Sequence, residues 1–233
     1  METRRAVLAL EQAVLQCGQP ASNDMIVADI TLRPSELTMI HVERLQRAAS
    51  FADACSGLTP LVAGRVTFLN QEWTKLPNEM ANALRGQIGR VFSLTNGGWL
   101  QHLSLLDNVV LRPAHHTDHR FAELRDEAVH LAKMFDLPGF PAGAPRDMIP
   151  VDLQRAACIR AFVGDPALIL LEEPTAGGYP DMLVPLIHVI RRARRWGSAV
   201  IWLTAEQAIW SDASIPVTAR YRLAGQQLVE VYR

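Results

Sequence analysis

Lysine is almost missing from these 233 residues. Of 23 basic side chains only Lys75 and Lys133 are lysines, and no lysine follows a glycine. A phosphate-cradling loop in its ordinary form, which needs a Gly-Lys pair, is therefore excluded. Cysteine is scarce too: Cys17, Cys55 and Cys158 show neither CxxC nor metal-ligand spacing, which argues against a disulfide scaffold and fits a reduced cytosolic compartment. No uncharged apolar run approaches the roughly twenty residues of a membrane helix. The first residues, METRRAVLALEQAVLQ, lack the unbroken apolar core and small-residue cleavage site of a signal peptide. A net charge of −1 gives no overall field to gather nucleic acid or a membrane surface. These absences lead us to expect a soluble intracellular protein without a nucleic-acid partner.

What is present is apolar and rhythmic. Apolar residues make up 49 %, enough for a sizeable core. Short β-rich runs, TMIHV (38–42), VTFLN (66–70), IGRVFS (88–93), LILLEE (168–173) and AVIWLT (199–204), alternate with helical stretches at 43–57 and 181–196. Apolar runs without alternation predict strands buried on both faces, as in a parallel sheet, and the strand–helix rhythm predicts an α/β fold. The second helix ends in RRARRWG, with arginines in its last turn and Gly197 placed as a left-handed cap. Residues 1–37 hold strand-like pieces, AVLAL and MIVADITL, that suggest an antiparallel edge. Residues 118–162 read as mostly helical, broken by the Pro- and Gly-rich LPGFPAGAPRDMIP (137–150), and predict an inserted helical subdomain.

Residues 168–177, LILLEEPTAG, run four aliphatics into adjacent carboxylates. In LQRAACIRAFVGDPALILLEEPTAG (153–177) the pairs Gln154-Arg155, Arg160-Ala161, Asp165-Pro166 and Glu173-Pro174 follow in order. IGRVFSLTNGGWLQHLSLLDNVVL (88–111) and SGLTPLVAGRVTF (56–68) are two further motifs at fitting separations. In these three segments, and over nearly the whole chain, the sequence resembles the nucleotide-binding (ATPase) domain of ABC transporters. The resemblance implies a P-loop NTPase-like α/β fold: a mostly parallel sheet with an antiparallel β edge and an inserted α-helical subdomain. It implies one domain over 1–233, with the α/β core drawn from 1–93 and 163–233, and the Q-loop segment and helical subdomain from about 94–162.

The same register places the phosphate loop at VERLQRAAS (42–50), against a family pattern of G-x-x-G-x-G-K-[ST]-[ST]. Val42, Leu45 and Arg47 stand where glycines belong, Ala48 where the lysine belongs and Ala49 where the magnesium-holding hydroxyl belongs; Ser50 alone keeps a hydroxyl. Such a loop curls its backbone N–H groups around phosphate through positive φ angles, which cost a residue with a Cβ roughly 1–2 kcal/mol each. We expect an ordinary amphipathic helix there, packing Leu45, Ala48, Ala52 and Cys55. The L-S-G-G-Q signature becomes Met148-Ile149-Pro150-Val151-Asp152, the Q-loop glutamine becomes Ser93, the histidine after the fifth strand becomes Ala205 and the D-loop aspartate becomes Tyr179. No aromatic stands near 12–18 to stack on adenine. Glu173 remains at the catalytic position and Glu172 at the magnesium-orienting one; we expect both to be remnants bonded to nearby backbone amides.

Other clusters invite plainer readings. HHTDH (115–119) has metal-ligand residue types but sits in an expected exposed loop with no second cluster, so no metal is expected. RRARR (191–195) reads as a solvated helix end complementing the helix dipole. Trp99, Leu100, Leu103 and Leu106, read at helical spacing in the segment where the family receives its permease, are expected to pack in the core or to dock that partner.

The resemblance thus implies a catalytically degenerate subunit of an ABC transporter, cytoplasmic and peripheral to the inner membrane. Its expected partners are a permease subunit and a competent ATPase subunit, or a second copy of itself, with membrane contact only through the permease. GGWLQHLSLLDNVVLRPAHH looks most like ATPase subunits serving permeases of bacterial MCE (Mla-type) lipid-transport systems. No cofactor is expected; ATP and magnesium enter only on the alternative of an active ATPase whose unorthodox site is built on Glu172, Glu173 and nearby arginines. A stand-alone regulatory binding module is the third reading.

Overall fold

The computed structural model describes residues 6–18, 24–93, 98–140, 143–176 and 180–231. Ten strands form one mixed sheet. Its parallel core comprises β3 (Leu37–His41), β8 (Ala199–Thr204), β7 (Leu168–Glu172) and β6 (Ile88–Val91), in the spatial order β3-β8-β7-β6. Every residue of β7 and β8 is buried, as their unbroken apolar runs predict. On one face Met39, Leu171, Val200 and Trp202 meet α3 (Leu105–His116), α4 (Phe121–Met134), α5 (Pro150–Phe162) and α6 (Leu183–Arg195). On the other, Ile40, Leu170, Ile201 and Leu203 meet α1 (Leu45–Cys55) and the antiparallel flank.

That flank is β1 (Leu8–Gln16), β2 (Met25–Leu32), β4 (Leu61–Phe68) and the two-residue β5 (Gln71–Glu72), as the strand-like pieces of 1–37 suggest. A bulge in β1, where Leu10 pairs with Ile30 but Ala13 with Ala28, bends the strand. Gly64 passes so close to the bulge that a Cβ would lie 2.1 Å from the Gln12 carbonyl oxygen. The hairpin of β9 (Ala219–Ala224) and β10 (Gln227–Glu230) joins the halves, β9 running parallel to β3 and β10 parallel to β2.

Three local expectations change. VTFLN is not a core strand: it falls at the end of β4, whose first half is largely exposed and which pairs antiparallel with β1 and β5. The segment 181–196 opens with a 3₁₀ turn at Pro180–Met182 before α6 begins. His115 and His116 close α3 rather than lying in a loop. Gly197, with φ +99°, ends α6 as expected, its N–H bonding the Arg194 carbonyl. The α6 arginines are more engaged than a solvated end implies: Arg192 pairs with Glu127 at 3.3 Å, and Arg194 donates to the Ser35 and Pro216 carbonyls, each at 2.7 Å.

Candidate nucleotide-site region

Register aligns the ends of the core strands. His41 pairs with Thr204, Glu172 with Leu203 and Val91 with Leu171, so the residues just beyond them share the carboxyl edge of the sheet, where open α/β sheets place their sites. Val42, Ser93, Glu173 and Ala205 all follow these strand ends.

The stretch 42–50 is no glycine loop. Arg44, in extended conformation, caps α1 without a side-chain hydrogen bond, and the helix proceeds from Leu45. Ala48 is fully buried. The packing differs from expectation at two positions: Leu45 is half-exposed, whereas Arg47 is only 2 % exposed. Its guanidinium turns inward to Asp24 at 3.2 Å and donates to the Met25 carbonyl at 3.0 Å, tying α1 to the start of β2. The Ser50 hydroxyl hydrogen-bonds Cys17, whose thiol burial holds above its ordinary pKa.

The two carboxylates are committed to different partners. Glu172, 1 % exposed, takes Arg90 Nε at 2.5 Å on Oε1, while its Oε2 accepts the Ser93 hydroxyl at 3.0 Å. Arg90 Nη1 also meets Asp53 of α1 at 2.6 Å. Burial opposes the Arg90 charge, but Glu172 and Asp53 more than offset it and raise its pKa above the ordinary value. Glu172 is therefore ion-paired rather than bonded only to backbone amides, which corrects the expectation for it. Glu173 accepts the Ala205 backbone N–H, and also the Thr204 hydroxyl at 3.0 Å. Burial lifts its pKa above the usual carboxylate value against the pull of those two donors, and its backbone adopts φ +46°.

The sequence does not single out Arg90, although an arginine inside IGRVFS was a visible anomaly: a buried strand admits a charge only with a counter-charge nearby. A magnesium nucleotide at this edge needs an ammonium, a hydroxyl at the start of α1 and a free carboxylate. Here Ala48, Ala49 and an Arg90-bound Glu172 stand in those positions, and the donor set does not fit such a ligand.

The other register positions scatter. Ile149, 58 % exposed, precedes α5, and Pro150 is its first residue. Gln154 of α5 donates to the Pro174 carbonyl at 2.9 Å, fastening the turn after β7. Tyr179 lies outside the described residues. Trp99, Leu100 and Leu103 lie in irregular chain before α3, not in a helix, and only Leu106 is helical. Trp99 is half-buried beneath the Arg160 guanidinium, 4.0 Å from its ring centre; Leu106 packs against the core; Leu100 is 40 % exposed. Asn108, missed by the sequence reading, organises this stretch. It is buried, accepts the Leu100 N–H at 2.8 Å and donates to the Leu100 and Ser104 carbonyls at 3.0 and 2.9 Å. Beside it opens a cleft of about 590 Å³ between β6 and α3, lined by Arg90, Phe92, Leu100, Leu111, Arg112 and Arg160 among others. Among the described residues no group of three or more His, Cys, Asp and Glu could hold a metal, and no helix is long and apolar enough to cross a membrane.

Sheet order, antiparallel flank and helical insertion match the fold of solved ABC transporter ATPase domains. A dimeric bacterial ABC transporter cassette superposes with a TM-score of 0.78 at 18 % identity, covering 95 % of this chain and 96 % of that one. An ATP-binding subunit of an ABC transporter gives 0.78 at 16 % identity, covering 97 % and 89 %. Among curated proteins the chain is similar to the nopaline permease ATP-binding protein P of Agrobacterium fabrum, 28 % identical over 134 residues covering 58 % of this chain and 51 % of that protein. It is also similar to the glutamate/aspartate import ATP-binding protein GltL of Escherichia coli, 26 % identical over 155 residues covering 65 % and 61 %. The chain thus spans between about half and three-fifths of the length of these relatives. No protein-family model matches the sequence.

Proposed function

We propose that this chain is an ABC-type nucleotide-binding-domain subunit that has given up nucleotide and serves as a docking component of a transporter. It holds a permease subunit at the β6–α3 cleft and pairs with a competent ATPase subunit or a second copy of itself. The observation that carries this reading is the Arg90–Glu172 ion pair, which puts a side-chain cation on the carboxylate that would orient magnesium. Ala48 in place of the lysine and Pro150 in place of a signature residue with an N–H support it from both halves of the composite site. Because both halves are replaced, a partner's phosphate loop would bind ATP without closure from this subunit.

The relatives' printed names, nopaline permease and glutamate/aspartate import, favour a small polar cargo over the lipid suggested by residues 97–116. The location that goes with this role is the cytoplasmic side of the inner membrane, through the permease.

Calorimetric titration with ATP and magnesium tests the reading directly. No binding up to millimolar nucleotide, weaker than about −4 kcal/mol, is expected; micromolar binding overturns it in favour of an active ATPase with an unorthodox site. Co-purification with a co-expressed permease tests the docking half, and its failure favours a stand-alone regulatory module.

A further inference from the structure

The cleft between β6 and α3 shares residues with the ion-pair network. Arg90 and Phe92 lie on or just beyond β6, Arg160 lies on α5, and all three line the cleft. Arg90 is fixed at one end by Glu172 and Asp53, at 2.5 and 2.6 Å. Its guanidinium lies 4.5 Å from the centre of the Phe92 ring. Arg160 lies 5.5 Å from the same ring and 4.0 Å from the centre of Trp99, and its Nη1 donates to the Gly98 carbonyl at 3.2 Å. Charge and aromatic faces thus alternate without a break from the end of β7 to the turns at 98–104. Cation–aromatic contacts of this kind strengthen when desolvated. Burial together with the Arg112 charge pushes the Arg160 pKa down to about 10, so the aromatic faces around it bear on a cation short of solvation.

We infer that Arg90 is a built-in cation that fixes the shape of the cleft from within, through the ladder Glu172–Arg90–Phe92–Arg160–Trp99, so that the docking surface is set without nucleotide. Glu172 and Ser93 stand at two positions through which the family resemblance would link nucleotide to that surface. Here they bond each other, the Ser93 hydroxyl donating to Glu172 at 3.0 Å, with Arg90 on the second carboxylate oxygen. The inference deepens the docking reading and rests on it for the use made of the cleft, but not for the cleft's shape.

Hydrogen–deuterium exchange on the full chain tests it, comparing wild type with Arg90→Gln, Phe92→Leu and, as a control on the far flank, Arg65→Gln. The reporting amides are Leu100, bonded to Asn108, Leu103, bonded to the Leu100 carbonyl, and Leu105, bonded to the Gly143 carbonyl. Arg90→Gln and Phe92→Leu are each expected to speed their exchange on the order of tenfold, with β1–β2 amides unchanged and Arg65→Gln silent. If Arg90→Gln loses its fold, Phe92→Leu decides alone, since it leaves the Glu172 and Asp53 pairs intact. Unchanged exchange of these amides in Phe92→Leu overturns the inference, as does wild-type exchange that slows at the same amides on adding ATP and magnesium. Flat exchange leaves docking untouched, and failure to co-purify with a permease leaves the ladder untouched, so the two readings fall separately.

Discussion

Arg90 and Glu172, on neighbouring parallel strands, meet at 2.5 Å where both are nearly sealed from water, Arg90 9 % and Glu172 1 % exposed in their side chains. A pair of this kind stabilises little against a well-packed apolar replacement, but removing one partner strands the other. Arg90→Ala is expected to cost roughly 3–5 kcal/mol in denaturant unfolding. The double change Arg90→Met with Glu172→Leu should cost less than half of that, because Asp53, a third exposed, regains water. Equal losses would show that Glu172 is not the group stranded.

Glu173 gives a pH signature. Its folded pKa lies above the ordinary carboxylate value, chiefly through burial, so the folded state holds the proton more tightly than the unfolded one. Its contribution to stability is then greatest below the unfolded pKa and falls as pH rises from there through the folded pKa. Unfolding measured between pH 4 and 8 should show Glu173→Gln gaining on wild type as pH rises across that window. A difference independent of pH would refute the shift.

Gly89 lets α5 press against β6: a Cβ there would lie 1.8 Å from the Ala161 carbonyl oxygen, which is backbone and cannot swing aside. Gly89→Ala should therefore cost about 1–3 kcal/mol by overpacking, read as a lowered melting temperature. An unchanged melting temperature would mean that helix and strand separate freely.

Asn108→Ala removes the buried amide that ties the 98–104 turns to α3. We expect a loss of about 2 kcal/mol, from the carbonyls and N–H left without partners. Capture of a co-expressed permease should fall while helical circular dichroism is kept. Full capture by the variant would detach those turns from docking.

Much of the fold was legible because its core strands are buried on both faces and carry unbroken aliphatic runs, as in LILLEE and AVIWLT. The absence of a glycine-lysine loop at 42–50 was legible because no glycine or lysine occurs there, and the structure begins α1 at Leu45. What stayed hidden depends on where long side chains turn. Arg47 looks like a surface residue of an amphipathic helix, yet its guanidinium reaches Asp24 on another element. Trp99, Leu100 and Leu103 suggested a helix by spacing alone, but Ser104 caps α3, accepting the Asp107 N–H at 3.1 Å, and the helix begins only after it. Arg90 broke the apolar pattern of its strand, and only the tertiary placement of Glu172 and Asp53 explains why it is tolerated.

The ten-stranded sheet ends in β5, two residues long, and β6, four residues long. Long, flat, apolar edge strands are the usual templates on which one chain recruits another into open-ended assemblies. β5 covers only Thr67 and Phe68 of β4, so the first half of β4 forms most of the border on that side. There Gly64, with φ +76°, and the exposed Arg65 make a poor template for a further strand. Such a border leaves the sheet open without inviting a second copy to extend it into a polymer.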